Sequence, residues 1–482
     1  MTGLEVTPLE TQGRHIGRRL SVFAIPLVCV AQLMATLDVT IVNLALPAIQ
    51  HDLALSNAGL AWMIDAYTLA YAGLLLVGGR TGDLIGRRRT LLTGIAIFTL
   101  ASLVGGLAGD PAVVLAARVG QGVGAALATP TTLSMITTLC PPGARRTRAM
   151  VAYGAMAGLG ITLGLVLGGL LTQAASWRWV FLVNVPIGAV LLAAAPRVLP
   201  ESTGVRRRVD VPGALLGTAG LTALVYGVIR AGTDGWGDRL SLLTLAAAVP
   251  LLVAFVAVEV RVAEPMLPLA LLRHPVRLGA YLIAGLLFAC LYPSFFFLSR
   301  TLQDVLGQRP VEAGLRFLPL GVGVLLFAVL TRRLVQTVGP RALVLGGTAA
   351  TAAAALALAL LDRNSPYVGL LLPCLVGLGT GVGVTFVANA AAAMTDVAEP
   401  DAGIASGLLS TFQAVGGTLG VAALAAVAAR VTENHAGSTS SESMNGALLA
   451  GFAPAFLIAG GLAVLAVLTA LLTSPRTERT SP

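Results

Sequence analysis

Polar residues punctuate this chain more than they pattern it. Apolar stretches follow one another almost from end to end, broken by short clusters of Gly, Pro and charge. A helix needs roughly 20 apolar residues to cross the hydrocarbon core of a bilayer. Strands of a membrane barrel would alternate polar and apolar over about ten residues, and these runs are continuous instead. Backbone groups in lipid must be hydrogen-bonded within the chain, so the runs predict helices. The breaks delimit about fourteen spans, near 20–42, 57–78, 91–108, 112–136, 150–172, 179–196, 211–229, 240–259, 278–299, 314–331, 342–361, 367–389, 403–428 and 450–472.

The placement of Arg orients them. With the N-terminus inside, the inner loops of the first half hold Arg80, Arg87 to Arg89, Arg145, Arg146, Arg148, Arg197 and Arg206 to Arg208, and the outer loops hold Arg178 alone. Such asymmetry predicts both termini on the cytoplasmic side. All four Trp (Trp62, Trp177, Trp179, Trp236) then fall at the outer interface. One inner loop, 390–402, breaks the pattern with no Arg and three acids, Asp396, Glu399 and Asp401.

Two segments echo each other: GQGVGAALATPTTLSMITT at 120–138 and GTGVGVTFVANAAAAMTDV at 379–397. The Gly86 turn has a weaker partner at Gly339. That spacing fits six spans plus an inserted pair, and internal repeats of this size mark two-halved transporters. The expected organisation is a tail (1–19), a six-helix bundle (20–196), a cytoplasmic loop (197–210), an inserted helix pair (211–259), a second loop (260–277), another six-helix bundle (278–472) and a tail (473–482).

Composition agrees. Of 482 residues, 56% are hydrophobic and 11% charged, against roughly a quarter charged in soluble domains; mean hydropathy is +0.87. The net charge of +9 sits in short loops at the head-group level, so it points to lipid and not to nucleic acid. The four Cys are far apart and the four His lie in predicted loops or tails, so neither a disulfide framework nor a metal site is expected. The first run is too long for a signal peptide. No GxxxxGK[ST] loop occurs, which argues against ATP drive. No convergent Ser/His/Asp set appears in the spans, which argues against an intramembrane enzyme.

Four stretches carry a family likeness. LDVTIVNLALP (37–47), GGRTGDLIGRRR (78–89), RVGQGVGAA (118–126) and GLGITLGLVLGGLL (158–171) resemble the signature motifs of the major facilitator superfamily. WRWVFLVNVPIG (177–188) and the extra helix pair resemble its fourteen-helix drug:proton antiporter branch, the EmrB/QacA type. The likeness implies an all-α polytopic fold of two six-helix bundles with two inserted central helices. It also implies a loop that latches the two halves, with Gly79, Asp83, Gly86, Arg87 and Arg88 as the matching residues. On the fifth span Gly160, Gly164, Gly168 and Gly169 form a small-residue packing face. The antiporter pattern has Pro where Leu165 stands, and this departure keeps a symporter or a lipid or metabolite carrier open beside an exporter.

Ionisable groups deep in the spans are costly and usually functional. Counting ~1.5 Å per residue, Asp38, Asp65 and Arg118 all lie roughly 6–13 Å below the outer surface, and the last six spans hold no interior acid. Asp38 and Arg118, with Asp65, are therefore candidates for one proton- or cation-coupling site. The competing readings are a helix-end carboxylate for Asp38, an interfacial residue for Asp65, and an Arg118 that snorkels outward. Polar or aromatic candidates for a substrate cavity are Asn43, Tyr67, Tyr71, Asn184 and Gln413, with Tyr292, Phe295, Phe296 and Asn389. The resemblance implies export of amphipathic small molecules from a bacterial cell, expected here of a monomer. It would exchange them for protons, with the gradient in place of any cofactor.

Overall fold

A computed structural model describes residues 8–55, 57–141, 143–201, 210–262, 265–362, 365–398, 401–436 and 441–473. Among them there is no strand, and fourteen helices are long and apolar enough to cross a membrane. The first six spans are α1 (Phe23–Leu46), α2 (Trp62–Ile85), α3 (Arg87–Leu107), α4 (Pro111–Leu139), α5 (Ala144–Ala174) and α6 (Trp179–Val198). Next come α7 (Val211–Gly232) and α8 (Arg239–Arg261). The last six are α9 (Pro275–Val305), α10 (Val311–Thr331), α11 (Thr337–Leu358), α12 (Tyr367–Ala393), α13 (Ala402–His435) and α14 (Asn445–Thr473). Arg206 to Arg208, Glu399 and the outermost residues of both tails lie outside the described residues.

Local chemistry explains where several helices begin. Asp110 accepts from the Ala112 amide at 2.7 Å ahead of Pro111. Asp210 accepts from Gly213 at 2.8 Å, and Asp238 from Ser241 at 2.9 Å. Each carboxylate satisfies an amide that has no partner inside its helix. The third span starts at Arg87, four residues before its predicted limit, because Gly86 (φ 106°, ψ 137°) makes the turn in a region that favours glycine. Gly339 (φ 80°, ψ 160°) makes the corresponding break, a kink near the start of α11.

The packing repeats with the same offset. In the first half α1 lies on α5, α4 on both α2 and α3, and α6 on α1 and α3. In the second, α9 lies on α13 and α14, α12 packs along α10 and α11, and α14 reaches α11 at Leu356–Gly460. Each pair is the earlier one advanced by eight helices. The echo at 120–138 and 379–397 thus falls on the paired helices α4 and α12. Two symmetric seams join the halves, α2 against α13 and α5 against α10. The inserted pair packs on itself, and α7 covers the α2–α13 seam. The outer side of α8 is left exposed at Val249, Val253 and Val260, as a lipid-facing helix would be.

The glycines of α5 lie close against α1. Gly160, Gly164 and Gly168 sit against Thr36, Thr40 and the Ile41 carbonyl of α1, and Gly169 against Val311. A methyl group at Gly164 would collide with the Thr40 side chain. The approach is close enough for the Thr40 hydroxyl to donate to the Gly160 carbonyl at 3.3 Å. This contact fixes α1, and with it Asp38.

Candidate functional site: a buried charge network and an interbundle latch

Asp38 of α1 is fully buried, and every partner it has comes from the first bundle. Its Oδ2 accepts from Arg118 Nη1 of α4 at 2.8 Å. Its Oδ1 accepts from Gln121 Nε2, also of α4, at 2.8 Å and from Asn184 Nδ2 of α6 at 2.9 Å. Arg118 is equally enclosed. Its Nε donates to the Met63 carbonyl of α2 at 2.9 Å, and Nη1 also reaches Gln121 Oε1 at 3.0 Å. Gln121 donates further to Ser102 Oγ of α3 at 2.9 Å. Five helices thus converge on one ion pair. The pair lies inside the bundle, held there by hydrogen bonds, and not on an open wall of the central cleft. Arg118 is not snorkelling.

Ion pairs in a low-dielectric interior persist only where hydrogen bonds offset their desolvation. Here three donors meet one carboxylate, and the guanidinium also lies 4.5 Å from the centre of the Tyr67 ring, a cation–π contact. Tyr67 stacks on Tyr71 at 5.7 Å. The two tyrosines form an aromatic ladder leading away from the pair along α2.

Asp65 is not brought to this network. It is half-buried and makes no hydrogen bond or ion pair among the described residues. The reason is angular. Met63 and Tyr67, four apart, turn one face of α2 to Arg118, and Asp65 stands about 200° around the helix from either. Asn184 is not a free cavity wall either, since its amide is committed to Asp38. It gets there because Pro186 has no N–H for the Leu182 carbonyl. Helix α6 therefore opens as a separate turn, Trp179–Leu182, before resuming at Asn184. Asn43 Nδ2 donates within its own helix to Val39. Gln413 lines a cleft with Phe288, Thr385, Phe386 and Asn389 between α9, α12 and α13.

A second polar centre lies at the Arg-rich ends of the helices. Asp83, at the end of α2, accepts from the amides of Gly403 and Ile404 at 3.0 Å each and from Arg87 Nη2 at 3.1 Å. The carboxylate of one half therefore caps the first turn of α13 in the other, where the helix dipole favours negative charge. Gly79 makes this possible: a Cβ there would lie 2.6 Å from the Gly403 carbonyl. The Ser406 hydroxyl adds a bond to the Pro130 carbonyl at 2.6 Å. Arg88 points elsewhere. It binds Glu201 at 3.0 Å and the carbonyls of Pro196 and Leu199, tying α3 to the end of α6 within one bundle. Arg80 reaches the Pro265 carbonyl at 3.1 Å and Asp401 at 3.8 Å.

Sequence reasoning missed Gln121, Ser102 and the Glu201 partner of Arg88. It also missed a clamp at the opposite end. There Asp52 accepts from Trp177 Nε1 at 2.8 Å and Arg178 Nη1 at 2.9 Å. These two hydrogen bonds hold the Asp52 carboxyl below its ordinary range. A signal for Gln121 existed: it lies three residues after Arg118, on the same helical face.

The model of the Major Facilitator Superfamily matches residues 28–421. The chain belongs to this superfamily. Among its superfamily relatives is the puromycin resistance protein pur8 of Streptomyces alboniger, 42% identical over 457 residues that cover 93% of this chain and 90% of that one. Another is the cephamycin export protein CmcT of Amycolatopsis lactamdurans, 39% identical over 479 residues, 98% of this chain and 96% of the relative. The human organic anion transporter MFSD10 shares the superfamily fold, with a TM-score of 0.65 at 18% identity over 93% of this chain and 99% of that one. A multi-pass major facilitator protein thus carries both the buried ion pair and a carboxylate, Asp83, that caps α13 of the other half.

Proposed function

We propose that this protein exports amphipathic small molecules, antibiotics among them, across a bacterial cell membrane in exchange for protons. It works by alternating access, as a monomer, with both termini in the cytoplasm and the proton gradient in place of any bound cofactor. The observation that carries the reading is the Asp38–Arg118 pair, a fully buried acid with a fixed cation in a family of transporters. The resistance and export proteins that resemble the chain along nearly its whole length support the exported class.

The geometry supports a route for coupling. When Asp38 is ionised it holds Arg118, and Arg118 holds the α2 backbone at Met63. The same helix ends in Asp83, the latch to α13. Twenty residues separate Met63 from Asp83, about 30 Å of helix. Protonation of Asp38 removes the charge that Arg118 answers. The strain on Met63 then changes, and the latch at the far end of a stiff rod is released or set. An acid whose proton binding alters a rocking helix is what an exchanger requires.

Expression in a pump-deficient bacterial host, with a panel of antibiotics and with or without an uncoupler, tests the proposal. Reduced accumulation of at least one amphipathic compound, abolished by the uncoupler, is expected. Unchanged sensitivity to every compound would contradict it. A second reading, proton-coupled uptake, is favoured by Leu165, where α5 continues unbroken through the position of the expected Pro. Everted vesicles separate the two: export predicts accumulation of drug with release of protons from the lumen.

A further inference from the structure

In the state described, every group around Asp38 is a donor. Arg118, Gln121 and Asn184 all donate hydrogen bonds to its two oxygens. That suits a carboxylate. A protonated carboxyl has the opposite need, because its own O–H must find an acceptor. Arg118 has no acceptor to offer. Gln121 is committed at both ends, its Oε1 to Arg118 and its Nε2 to Asp38 and Ser102. Asn184 is different. Its Nδ2 donates to Asp38, but its Oδ1 is buried and accepts from nothing among the described residues. A buried acceptor without a partner calls for an explanation.

We infer that Asn184 is a two-way partner for the coupling proton. Its amide donates to the Asp38 carboxylate, and on protonation it turns half a revolution so that Oδ1 accepts from the Asp38 O–H. No bond other than the hydrogen bond changes, and the proton stays on Asp38. The free Oδ1 is then the acceptor kept for the second charge state. Asn184 is a positioning residue for the proton, and its place at the start of the resumed α6 leaves the amide tethered by that single bond. The other groups facing Asp38 leave the assignment to Asn184. Besides Asn184, α4 brings the hydrogen-bond partners Arg118 and Gln121 to Asp38; around them α2 brings the Tyr67 ring under Arg118, α3 brings Ser102 behind Gln121, and α5 presents its glycines to α1. The inference rests on Asp38 as the proton site.

The reconstituted full-length protein tests it in four forms: wild type, Asn184→Leu, Asn184→Ser and Asp38→Asn. Leucine shares the branching and the number of side-chain heavy atoms of asparagine but has neither donor nor acceptor. Its introduction takes one donor of three from the carboxylate, but from the protonated carboxyl it takes the one unpartnered acceptor that the described hydrogen-bond partners of Asp38 offer. The protonated form suffers more, so the midpoint of the pH–exchange profile moves to lower pH by about one unit. Serine, which donates and accepts, keeps the midpoint near wild type. Infrared difference spectra with isotope-labelled asparagine should show one amide carbonyl becoming hydrogen-bonded on acidification, absent in Asn184→Leu and in Asp38→Asn. A midpoint that moves to higher pH in Asn184→Leu marks a fixed donor and overturns the inference. An unmoved midpoint marks a packing residue and overturns it equally. If Asp38→Asn retains full pH-dependent exchange, the proton site itself is misassigned, a result distinct from either outcome at Asn184.

Discussion

Replacing Asp83 by Asn tests the latch with almost no change in shape. The carboxylate bonds two α13 amides at 3.0 Å and Arg87 at 3.1 Å, and only 2% of the side chain is exposed. An amide keeps one acceptor oxygen, turns its NH2 against one backbone N–H, and loses the charge that faces Arg87. Hydrogen bonds to a charged group contribute ~1.5–3 kcal/mol net. Loss of one such bond with weakening of the others comes to about 3 kcal/mol, or roughly 150-fold in the ratio of latched to open molecules. Spin labels on cysteines at Arg89 and Ala398, both exposed on the Arg-rich face of opposite halves, report that ratio by pulsed dipolar spectroscopy. The four native cysteines are buried and stay unlabelled. Wild type should give a short-distance population that shrinks in Asp83→Asn in favour of a longer one. Identical distance distributions in the two proteins would refute the latch.

Other expectations follow from single contacts. Arg118→Met leaves Asp38 buried without its cation and should cost about 3–5 kcal/mol; adding Asp38→Asn should recover much of this in thermal unfolding, and no recovery would contradict the pairing. Gly164→Ala pushes a methyl group into Thr40 and should destabilise the α1–α5 contact by about 1–3 kcal/mol, where an unchanged Tm would show that α5 can move away freely. Asp52 titrates below its ordinary value because Trp177 and Arg178 hold its carboxylate. Its stabilising contribution is therefore complete above the unfolded value of ~3.9 and disappears as pH falls through the lowered folded value. Unfolding scans between about pH 5 and 2 should show a shallower acid limb for Asp52→Asn than for wild type.

Much of this was legible in the residues, and the limits have physical causes. Spans, halves and the inserted pair were readable because lipid tolerates so few polar groups that each break is visible. Asp38 and Arg118 stood out by the cost of their depth, and the glycines of α5 by a spacing that matches a helix face. What stayed hidden was which faces meet. Asp65 is as deep as its neighbours, yet a rotation of the helix separates it from Met63 and Tyr67. Asn184 reaches Asp38 across 146 residues, and an amide in an apolar span carries no mark of its partner. Arg88 shares a cluster with Arg87 but finds Glu201 in place of the other bundle. Contacts set by tertiary rotation leave little trace in local pattern.

The central claim is that Asp38 couples drug movement to protons. Proteoliposomes carrying Asp38→Asn, given a substrate found in the resistance panel, test it most directly. Exchange of labelled for unlabelled drug should survive, because it requires no proton. Uptake driven by a pH gradient, and the proton release that accompanies it, should be lost. Full pH-driven transport by Asp38→Asn, with wild-type proton release, would contradict the account.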